Sequence, residues 1–529
     1  MVAGVELNYN TSATATQMAE EIFGSGVTVV NASYTGAAGS SAIYTGGDTI
    51  SEGVVPGDTG VIFSTGNAAS FTSVGSQSNF RSNTSANTSG PNNEAGFNAI
   101  AGTNTYDASF IDVDFIPTGD VMTMQFVFAS DEYPEYSNSI YNDTVGVWIN
   151  GTNVPLSVGN GNVAVGNVNQ NANLNLYNDN TGDQFNTEMD GFTLTLTLTI
   201  PVDAGVVNSI RIGIADTSDS FYDSNLLIAG DSLQTSLVAG DDSFTIGQNF
   251  TKTVDILGND LNTTGGTLEI THINGIQVQP GDTVNLATGQ TITLNSDGTI
   301  DIETDGDEEL VNFTYEVASV DANDVVLETD VGIITLDTIP CFTAGTRILT
   351  PGGTVAVEDL EAGDLVITQD DGAQPVRWVG RRSVPAQGKM APIRISAGAL
   401  GDHGEITVSP LHRVLVDDHR AELLFGEPEV LVAARDLVND SSIRPIEGGM
   451  ADYVHIMFDR HQVVFSEGLA TESFFPGTQT MSSFEAEVVE EITTIFPELD
   501  PATGEGYSPA ARRLLKSYEG ALLGDMGAA

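Results

Sequence analysis

The only cysteine among the 529 residues is Cys341, and its isolation limits the chemistry it can perform. One thiol cannot form a disulfide within the chain, and it cannot build a cysteine-rich metal site. A functional thiol would act as a nucleophile, and the neighbouring Pro340–Cys341 peptide bond is its candidate target. The alternative is that Cys341 is a small apolar residue of a protein core.

Two acidic clusters, in residues 130–143 and 216–225, suggest a different chemistry, the binding of a cation. Each cluster follows a β-forming run, so we expect each at a strand end or in the loop beyond it. Adjacent carboxylates repel each other unless a cation neutralises them, and Ca²⁺ prefers such oxygen ligands. The alternative is that these side chains cap turns and face water. The predicted Ca²⁺ ligands are Asp131, Glu132, Glu135, Asp143, Asp216, Asp219 and Asp223.

Charge is divided unevenly at Cys341. Residues 1–340 contain 43 acidic and three basic side chains, a net charge of −40, whereas residues 341–529 carry −15. Such acidity argues against nucleic acid and anionic membranes as partners, because phosphate binding needs clusters of Lys and Arg. It suits hard cations or a solvated acidic surface. At this length several domains are expected.

The first domain, residues 1–237, is predicted to be a jelly-roll-like β-sandwich. After one helix predicted at Thr14–Phe23, short β-forming runs alternate with Gly, Asn and Asp. The Asn- and Gly-rich stretch Asn160–Asn186 is predicted to be a long surface loop.

This region also resembles a known family. The resemblance is carried by Asp107–Pro117 (DASFIDVDFIP), Phe126–Tyr136 (FVFASDEYPEY), the Asn142–Asp143 pair and Ile214–Leu227 (IADTSDSFYDSNLL). These stretches resemble the bacterial choice-of-anchor L domain. The resemblance implies a secreted or surface-anchored bacterial protein.

Residues 238–338 are predicted to be a second, smaller sandwich. Strand-like runs of about five residues recur at roughly ten-residue spacing, from Val254–Asp260 (VDILGND) to Phe313–Val317 (FTYEV). The pattern resembles cadherin-like or Ig-like bacterial surface modules, which implies a spacer. His272 stands alone there and is expected to be a polar strand residue.

A third pattern of short β-forming runs begins at Cys341. Its motifs are Cys341–Leu349 (CFTAGTRIL), Gly363–Ile367 (GDLVI), Arg377–Gly380 (RWVG), Ile406–Leu415 (ITVSPLHRVL) and Tyr453–Gly468 (YVHIMFDRHQVVFSEG). In order and spacing they resemble the bacterial Hint (hedgehog/intein) family with a Ser-Pro-x-His motif. The resemblance implies an all-β Hint domain at residues 339–480.

The resemblance implies an N-to-S acyl shift, in which Cys341 attacks the carbonyl of Pro340 and the amide becomes a thioester. The leaving nitrogen must be protonated, and His412 is expected to do this. Ser409 supplies a hydroxyl to orient the bond where the family usually has Thr. No cofactor is needed.

Two further histidines are candidates for the later steps. His461 matches a recurrent family histidine near the C-terminal splice region, and His455 lies near the position of the family's acid. The alternative for each is a structural histidine with satisfied hydrogen bonds. The terminal His-Asn pair of a splicing intein is replaced by Glu472–Ser473, so splicing through Asn cyclisation is not expected.

Residues 481–529 form a tail in which Ser508–Leu523 (SPAARRLLKSYEGALL) predicts an amphipathic helix. The helix could be a C-terminal signal of type I secretion, or it could pack on the Hint domain. Met1–Asn10 lacks a Sec-type signal pattern, and no apolar run is long enough to span a bilayer. We expect an extracellular or cell-surface bacterial protein, exported without a signal peptide.

Two hypotheses from different classes follow. In the first, the chain is a self-cleaving protein, rather than an enzyme with turnover. Its thioester at Pro340–Cys341 releases the acidic N-terminal module or transfers it to an extracellular or cell-surface nucleophile. In the second, the chain is a calcium-dependent surface or adhesive protein whose Hint-like domain is catalytically silent.

Overall fold

The structure is a computed structural model that describes most of the chain. The described residues are 2–81, 83–137, 139–158, 161–246, 251–304, 311–337, 342–386, 391–439, 441–446, 448, 450–475, 508 and 510–515. They fall into two units. One comprises residues 1–242, 253–302 and 311–335, and the other comprises residues 243–252, 303–310 and 336–529. Pro340 and Cys341 lie outside the described residues.

The N-terminal part of the first unit is a β-sandwich, which confirms the predicted fold class. One sheet has the order β1-β3-β4-β15-β6-β12-β11, with β13 also paired to β6, and the other has the order β2-β5-β14-β7-β8. Its strands are β1 Asn8–Asn10, β2 Val27–Thr35, β3 Ser41–Thr45, β4 Thr59–Ser64, β5 Thr105–Pro117, β6 Val121–Ser130, β7 Thr144–Ile149, β8 Thr152–Asn153, β9 Ser157–Val158, β10 Gly161–Asn162, β11 Tyr177–Asp179, β12 Gly191–Thr193, β13 Leu196–Pro201, β14 Asn208–Thr217, β15 Ser224–Ala229 and β16 Leu237–Val238. Its helices are α1 Ala15–Ile22, α2 Gly47–Ile50 and α3 Ala95–Ala101.

Helix α1 confirms the predicted first helix and shows why it begins where it does. Thr14 accepts a hydrogen bond from the Gln17 backbone N–H, and the Gln17 side chain accepts one from the Thr14 backbone. This reciprocal pair satisfies two N–H groups that the first turn would otherwise leave without partners. Met18, Ala19 and Ile22 are buried in the sandwich core.

The Asn-rich stretch that was predicted to be a surface loop is largely irregular, yet its apolar side chains are buried in the core. Val163, Val165, Val168 and Leu176 are buried among the core residues of the two sheets. Irregular backbone can be buried only when its polar groups are paired, and asparagine amides do this here. Examples are Asn169 Nδ2 to the Val165 carbonyl at 2.7 Å and Asn180 Nδ2 to the Thr187 carbonyl at 3.0 Å.

The strands that follow form two smaller sheets of five and four strands. Partly buried polar contacts join them to the sandwich within the first unit. Gln125 Nε2 donates to the Thr329 carbonyl at 3.0 Å, and Asn312 Nδ2 donates to Asn173 Oδ1 at 2.8 Å. The cadherin-like character of this region stays a prediction. Its strands are β17 Asp242–Thr245, β18 Thr251–Val254, β19 Leu261–Asn262, β20 Thr267–Ile273, β21 Ile276–Gln277, β22 Thr283–Asn285, β23 Thr291–Leu294, β24 Ile300–Glu303, β25 Val311–Val320 and β26 Val326–Asp337.

The second unit is also mainly β. Its strands are β27 Phe342–Thr343, β28 Arg347–Thr350, β29 Gly353–Ala356, β30 Leu365–Thr368, β31 Gly372–Pro375, β32 Trp378–Pro385, β33 Ile393–Ile395, β34 Ile406–Val408, β35 Arg413–Asp417, β36 Glu429–Ala433, β37 Ile443–Pro445, β38 Met450–Met457, β39 Val463–Ser466, β40 Leu469–Glu472 and β41 Arg513–Leu514, with helix α4 at His419–Phe425. One sheet has the order β32-β38-β27-β34-β33-β37. The other has the order β29-β28-β39-β40-β35-β36-β41, with β30 paired to β31 and β39. One hydrophobic core contains residues from both sheets.

The predicted C-terminal helix is wrong over residues 510–515, the first part of its span that the structure describes continuously. Arg513–Leu514 forms the edge strand β41, which pairs in parallel with β36. Leu515 is buried in the core of the second unit, so a contact distant in sequence overrides the local helical pattern. Residues 516–523 lie outside the described residues. Among the described helices, none is long and apolar enough to cross a membrane.

Candidate active site

The site is organised around strand β27, which begins at Phe342, the residue after Cys341. Phe342 pairs with Val408 of β34 on one side and with Val454 of β38 on the other. Val408 directly precedes Ser409, and Val454 directly precedes His455. The sheet register therefore brings the candidate serine and histidines to the strand that follows the lone cysteine.

His412 lies in the turn between β34 and β35 and is 2% exposed. Its backbone N–H donates to the Ser409 carbonyl at 3.1 Å, and its ring packs on the Phe342 ring with centroids 4.2 Å apart. Neither ring nitrogen has a hydrogen-bond partner in the described part of the chain. Burial, and after it the charges of His455, Arg413 and His461, lowers the pKa of His412 to about 3. At neutral pH the ring is therefore uncharged.

His455 lies on β38 in an aromatic pocket. Its ring is stacked near Trp378, with centroids 6.2 Å apart, and meets Phe474 edge-on at 5.5 Å. Gly380 is paired opposite His455, and the Trp378 ring covers the space where a Gly380 side chain would stand. The predicted motif Arg377–Gly380 thus supplies one wall of the site.

His461 follows β38 and is 3% exposed. Its backbone N–H donates to Ser508 Oγ at 2.8 Å, and its Nδ1 accepts from the Ala511 N–H at 3.0 Å. Burial, and then the charge of Arg413, lowers its pKa to about 3. Its Nε2 lies 3.7 Å from Glu472 Oε2.

Glu472 is a residue that the sequence analysis noted as a replacement but did not place in the site. It is 1% exposed, and its Oε1 accepts from the Arg413 N–H at 2.9 Å. Burial raises its pKa, against the lowering effect of Arg413. Its neighbour Ser473 exchanges two hydrogen bonds with Gln462, a backbone one at 2.8 Å and one through Ser473 Oγ at 3.0 Å. A buried carboxylate thus faces a buried histidine where a splicing intein has His-Asn.

The acidic residues of the first unit gather where several strands of the sandwich begin or end. Asp143 directly precedes β7, Asp216 lies near the end of β14 at an irregularity in its pairing with β5, and Asp223 directly precedes β15. Glu132 follows β6. All four are at most 4% exposed. We call Glu132, Asp143, Asp216 and Asp223 the acidic cluster.

The acidic cluster contains carboxylate oxygens that have no hydrogen-bond partner among the described residues. They include both oxygens of Asp216 and one each of Glu132, Asp143 and Asp223. Burial, and after it the charge of Asp143, raises the pKa of Asp216 well above its ordinary value. Burial also raises the pKa of Asp143 to about 7.

The other predicted ligands differ in their surroundings. Both oxygens of Asp131 accept backbone N–H groups, from Asp190 at 3.2 Å and from Thr84. Glu135 is exposed and Asp219 is half-buried. Asp107 was not predicted; it is buried, has one oxygen without a partner in the described chain, and raises the pKa of both Asp216 and Asp223.

The acidic cluster is not a finished metal site. Within the described ranges, no three His, Cys, Asp or Glu side chains already form a group that could hold a metal ion. A cation would therefore have to draw the carboxylates together. A cavity of about 440 Å³, lined in part by Asn142, Asp143 and Thr217, gives one route to the cluster.

The β27 sheet places Ser409, His412 and His455 on or next to the strands that flank β27, and Cys341 precedes β27 in the sequence. The family model of the Hint domain matches residues 340–478, and that of the Choice-of-anchor L domain matches residues 6–234. The chain therefore contains a Choice-of-anchor L domain followed by a Hint domain, as the motifs predicted.

Solved structures with similarity to this chain include inteins. The crystal structure of the gp41-1 intein is 16% identical, with 25% of this chain and 97% of that chain covered and a TM-score of 0.17. The solution structure of a bacterial intein-like domain from Clostridium thermocellum is 19% identical, with 25% and 97% covered and a TM-score of 0.20. The crystal structure of the MchDnaB-1 intein is 11% identical, with 25% and 98% covered and a TM-score of 0.19. No curated protein matches the chain.

Proposed function

We propose that the Hint domain cleaves the Pro340–Cys341 bond through a thioester and so releases or transfers the N-terminal module. One observation carries the proposal. His412 is a buried, uncharged histidine with no ring partner in the described chain, and it packs on the residue that follows Cys341. A buried polar group without a partner costs stability, and a role in a reaction accounts for its presence here.

The first step needs a proton acceptor and then a proton donor, and a neutral imidazole can be both. His412 takes the thiol proton of Cys341, and the sulfur attacks the carbonyl carbon of Pro340. The C–N bond breaks as His412 returns that proton to the Cys341 nitrogen. The products are a thioester and a free amine, so atoms and charge balance. Ser409 is proposed to orient the bond, and His455 to support the site from β38.

The second step is the attack of a nucleophile on the thioester carbonyl. With Glu472–Ser473 in place of His-Asn, the nucleophile is water or an external amine or hydroxyl group. Water gives hydrolysis, whereas an acceptor at the cell surface gives transfer. A Choice-of-anchor domain suits a surface or extracellular protein. In the transfer reaction, the Hint domain is the device that attaches the Choice-of-anchor L domain to the acceptor at the surface. The route of export stays a prediction.

Intact mass spectrometry of the purified chain tests the cleavage. We expect added thiol or hydroxylamine to yield fragments 1–340 and 341–529, and Cys341→Ala to yield neither. His412→Gln should slow release by about 10²-fold or more, the usual loss on removing a general acid–base group. His419→Gln is the matched control, because that ring is 88% exposed and should leave the rate unchanged. A single stable full-length mass under all conditions would contradict the proposal and favour a silent Hint domain.

A second function is favoured by the acidic cluster, and we propose that the Choice-of-anchor L domain binds Ca²⁺ there. The support is the set of buried carboxylate oxygens that lack partners in the described chain, in a region of few basic side chains. Arg211, one of three basic residues before position 341, is engaged elsewhere, with Asp112 at 2.8 Å and Glu94 at 3.0 Å. Ca²⁺ would supply the missing charge and accept six to eight oxygen ligands.

Thermal unfolding of the full-length Cys341→Ala chain, with EDTA or with Ca²⁺, tests this second function. Ca²⁺ at about a hundredfold its Kd should stabilise the folded domain by about 2.7 kcal/mol. Asp216→Asn should remove the calcium response yet stabilise the chain in EDTA, since it removes a buried charge. The matched change Asp120→Asn, at an exposed position outside the acidic cluster, should leave the response intact. No shift and no heat of binding with Ca²⁺ would overturn the assignment.

A further inference from the structure

The end of the described chain, residues 508 and 510–515, is attached firmly to the Hint domain; we call it the C-terminal segment. Its strand β41 pairs with β36, and the Leu515 N–H donates to a carbonyl of β36 at 2.9 Å. Arg512 is held by Glu429 at 2.6 Å and by Asp370 at 2.8 Å. These contacts fix the segment beside the active site.

The C-terminal segment touches His461 through two hydrogen bonds. Ser508 Oγ accepts the His461 N–H at 2.8 Å, and the Ala511 N–H donates to His461 Nδ1 at 3.0 Å. A backbone N–H can only donate, so Nδ1 must accept and carries no proton. A neutral imidazole holds one proton, which must then lie on Nε2.

The proton on Nε2 faces the buried carboxylate of the site. Nε2 lies 3.7 Å from Glu472 Oε2, too far for a hydrogen bond, and neither atom has a hydrogen-bond partner among the described residues. Glu472 Oε1 accepts the N–H of Arg413, the residue after His412, at 2.9 Å. Glu472 therefore lies between the turn that carries His412 and the histidine that the C-terminal segment orients.

We propose that the C-terminal segment is a positioning element of the Hint active site, in which the Ala511 N–H holds His461 in the Nε2–H form with Nε2 directed towards Glu472. This rests on the proposed autoprocessing and deepens it. Glu472 accepts a proton from the nucleophile that attacks the thioester carbonyl. The new C–O or C–N bond forms, the C–S bond breaks, and the Cys341 thiolate leaves and takes up that proton. The C-terminal segment thus acts in the second step, whereas thioester formation depends on His412.

Removing the donor tests the proposal, and Ala511→Pro does so because proline has no N–H. The first readout is the ¹⁵N NMR spectrum of histidine-labelled Cys341→Ala chain, which cannot react. We expect His461 to be protonated at Nε2 alone in this parent, and Ala511→Pro to give a mixture that includes the Nδ1–H form. Ala510→Pro is the matched control, since it adds the same ring one residue earlier and keeps the donor.

The second readout separates the two chemical steps. In the chain with Cys341 present, Ala511→Pro should slow spontaneous hydrolysis by about tenfold or more. Release induced by added thiol, which reports thioester formation, should stay within about twofold, because His412 is untouched. An equal loss in both steps would mean a general structural role and would overturn the proposal.

A full-length semisynthetic chain keeps the proposal testable if Ala511→Pro unfolds the domain. It carries an ester in place of the Ala510–Ala511 amide, which removes the Ala511 N–H without adding a ring. The amide chain should hydrolyse about tenfold or more faster than the ester chain, and equal rates would overturn the proposal. A parent spectrum with His461 protonated at Nδ1 would do the same. The expected spectrum without any cleavage would instead contradict the proposed function.

Discussion

The charge state of His412 decides how it can act. With a pKa lowered to about 3, the ring is neutral at physiological pH, so it cannot donate a stored proton to the leaving nitrogen. In the proposed acyl shift it must first take a proton from Cys341, and the charged imidazole then formed is unfavourable in a buried site. That instability favours rapid return of the proton to the Cys341 nitrogen. Burial therefore couples the two proton transfers of the acyl shift.

At the same scale, a substitution of Gly380 tests the packing of the Trp378 ring beside His455. A Cβ at this position would lie 2.8 Å from Trp378 Cζ2, so Gly380→Ala must displace the ring that stacks near His455. Overpacking of this kind costs about 1–3 kcal/mol, and cleavage should slow with it. Gly352→Ala is the matched control, since its nearest neighbour would be Thr350 Oγ1 at 3.8 Å and its cost should stay within about 0.5 kcal/mol. Equal unfolding midpoints in urea for the two variants would contradict this packing.

At the scale of elements, sequence patterns predicted those helices and strands whose formation depends on residues close together in the sequence. The spacing of Met18, Ala19 and Ile22 predicted α1, which Thr14 caps, and short β-forming runs between Gly, Asn and Asp predicted most long strands of the sandwich. The order of the Hint motifs predicted that Ser409 and His412 would meet the strand that follows Cys341. The register of Phe342 with Val408 brings them there.

Contacts between residues distant in sequence explain what the patterns did not predict. The C-terminal segment has helical spacing, yet Arg512 pairs with Asp370 and Glu429, and Leu515 enters a core built by other strands. Glu472 was noted only for the residue it replaces, because its partner Arg413 lies 59 positions away. Asp107 likewise joins the acidic cluster through sheet pairing. No local pattern carries this information.

At the scale of the whole molecule, the two units bury ionisable groups of opposite sign. The first unit buries carboxylates with raised pKa values, about 7 for Asp143 and about 6 for Asp190 and Asp223. The second buries His412 and His461, whose pKa values are lowered to about 3, and among its described residues one buried carboxyl group, that of Glu472, has a raised pKa. Stability should therefore depend on pH in opposite directions in the two units.

The direction of each pH effect follows from the difference between the pKa of the group in the folded state and its pKa in the unfolded state. A carboxylate whose folded pKa exceeds about 3.8 stabilises the first unit fully at low pH, and this contribution is lost as pH rises through 6 to 7. A histidine whose folded pKa is depressed stabilises the second unit above about pH 6.5, and this contribution is lost as pH falls towards 3. Each unit of pKa shift corresponds to about 1.4 kcal/mol, so the effects should be measurable.

The chain's two tryptophans, Trp148 in the first unit and Trp378 in the second, allow each unit to be followed separately. In Cys341→Ala carrying Trp378→Phe, we expect the urea midpoint reported by Trp148 in EDTA to fall between pH 5 and pH 8. Ca²⁺ should restore it at pH 8, because the cation replaces the protons of the acidic cluster. With Trp148→Phe instead, the midpoint reported by Trp378 should fall between pH 7 and pH 4.5 and should not respond to Ca²⁺. Midpoints that move in the same direction with pH would contradict the assignment of buried charge to the two units, and a calcium response at Trp378 alone would place the cation outside the acidic cluster.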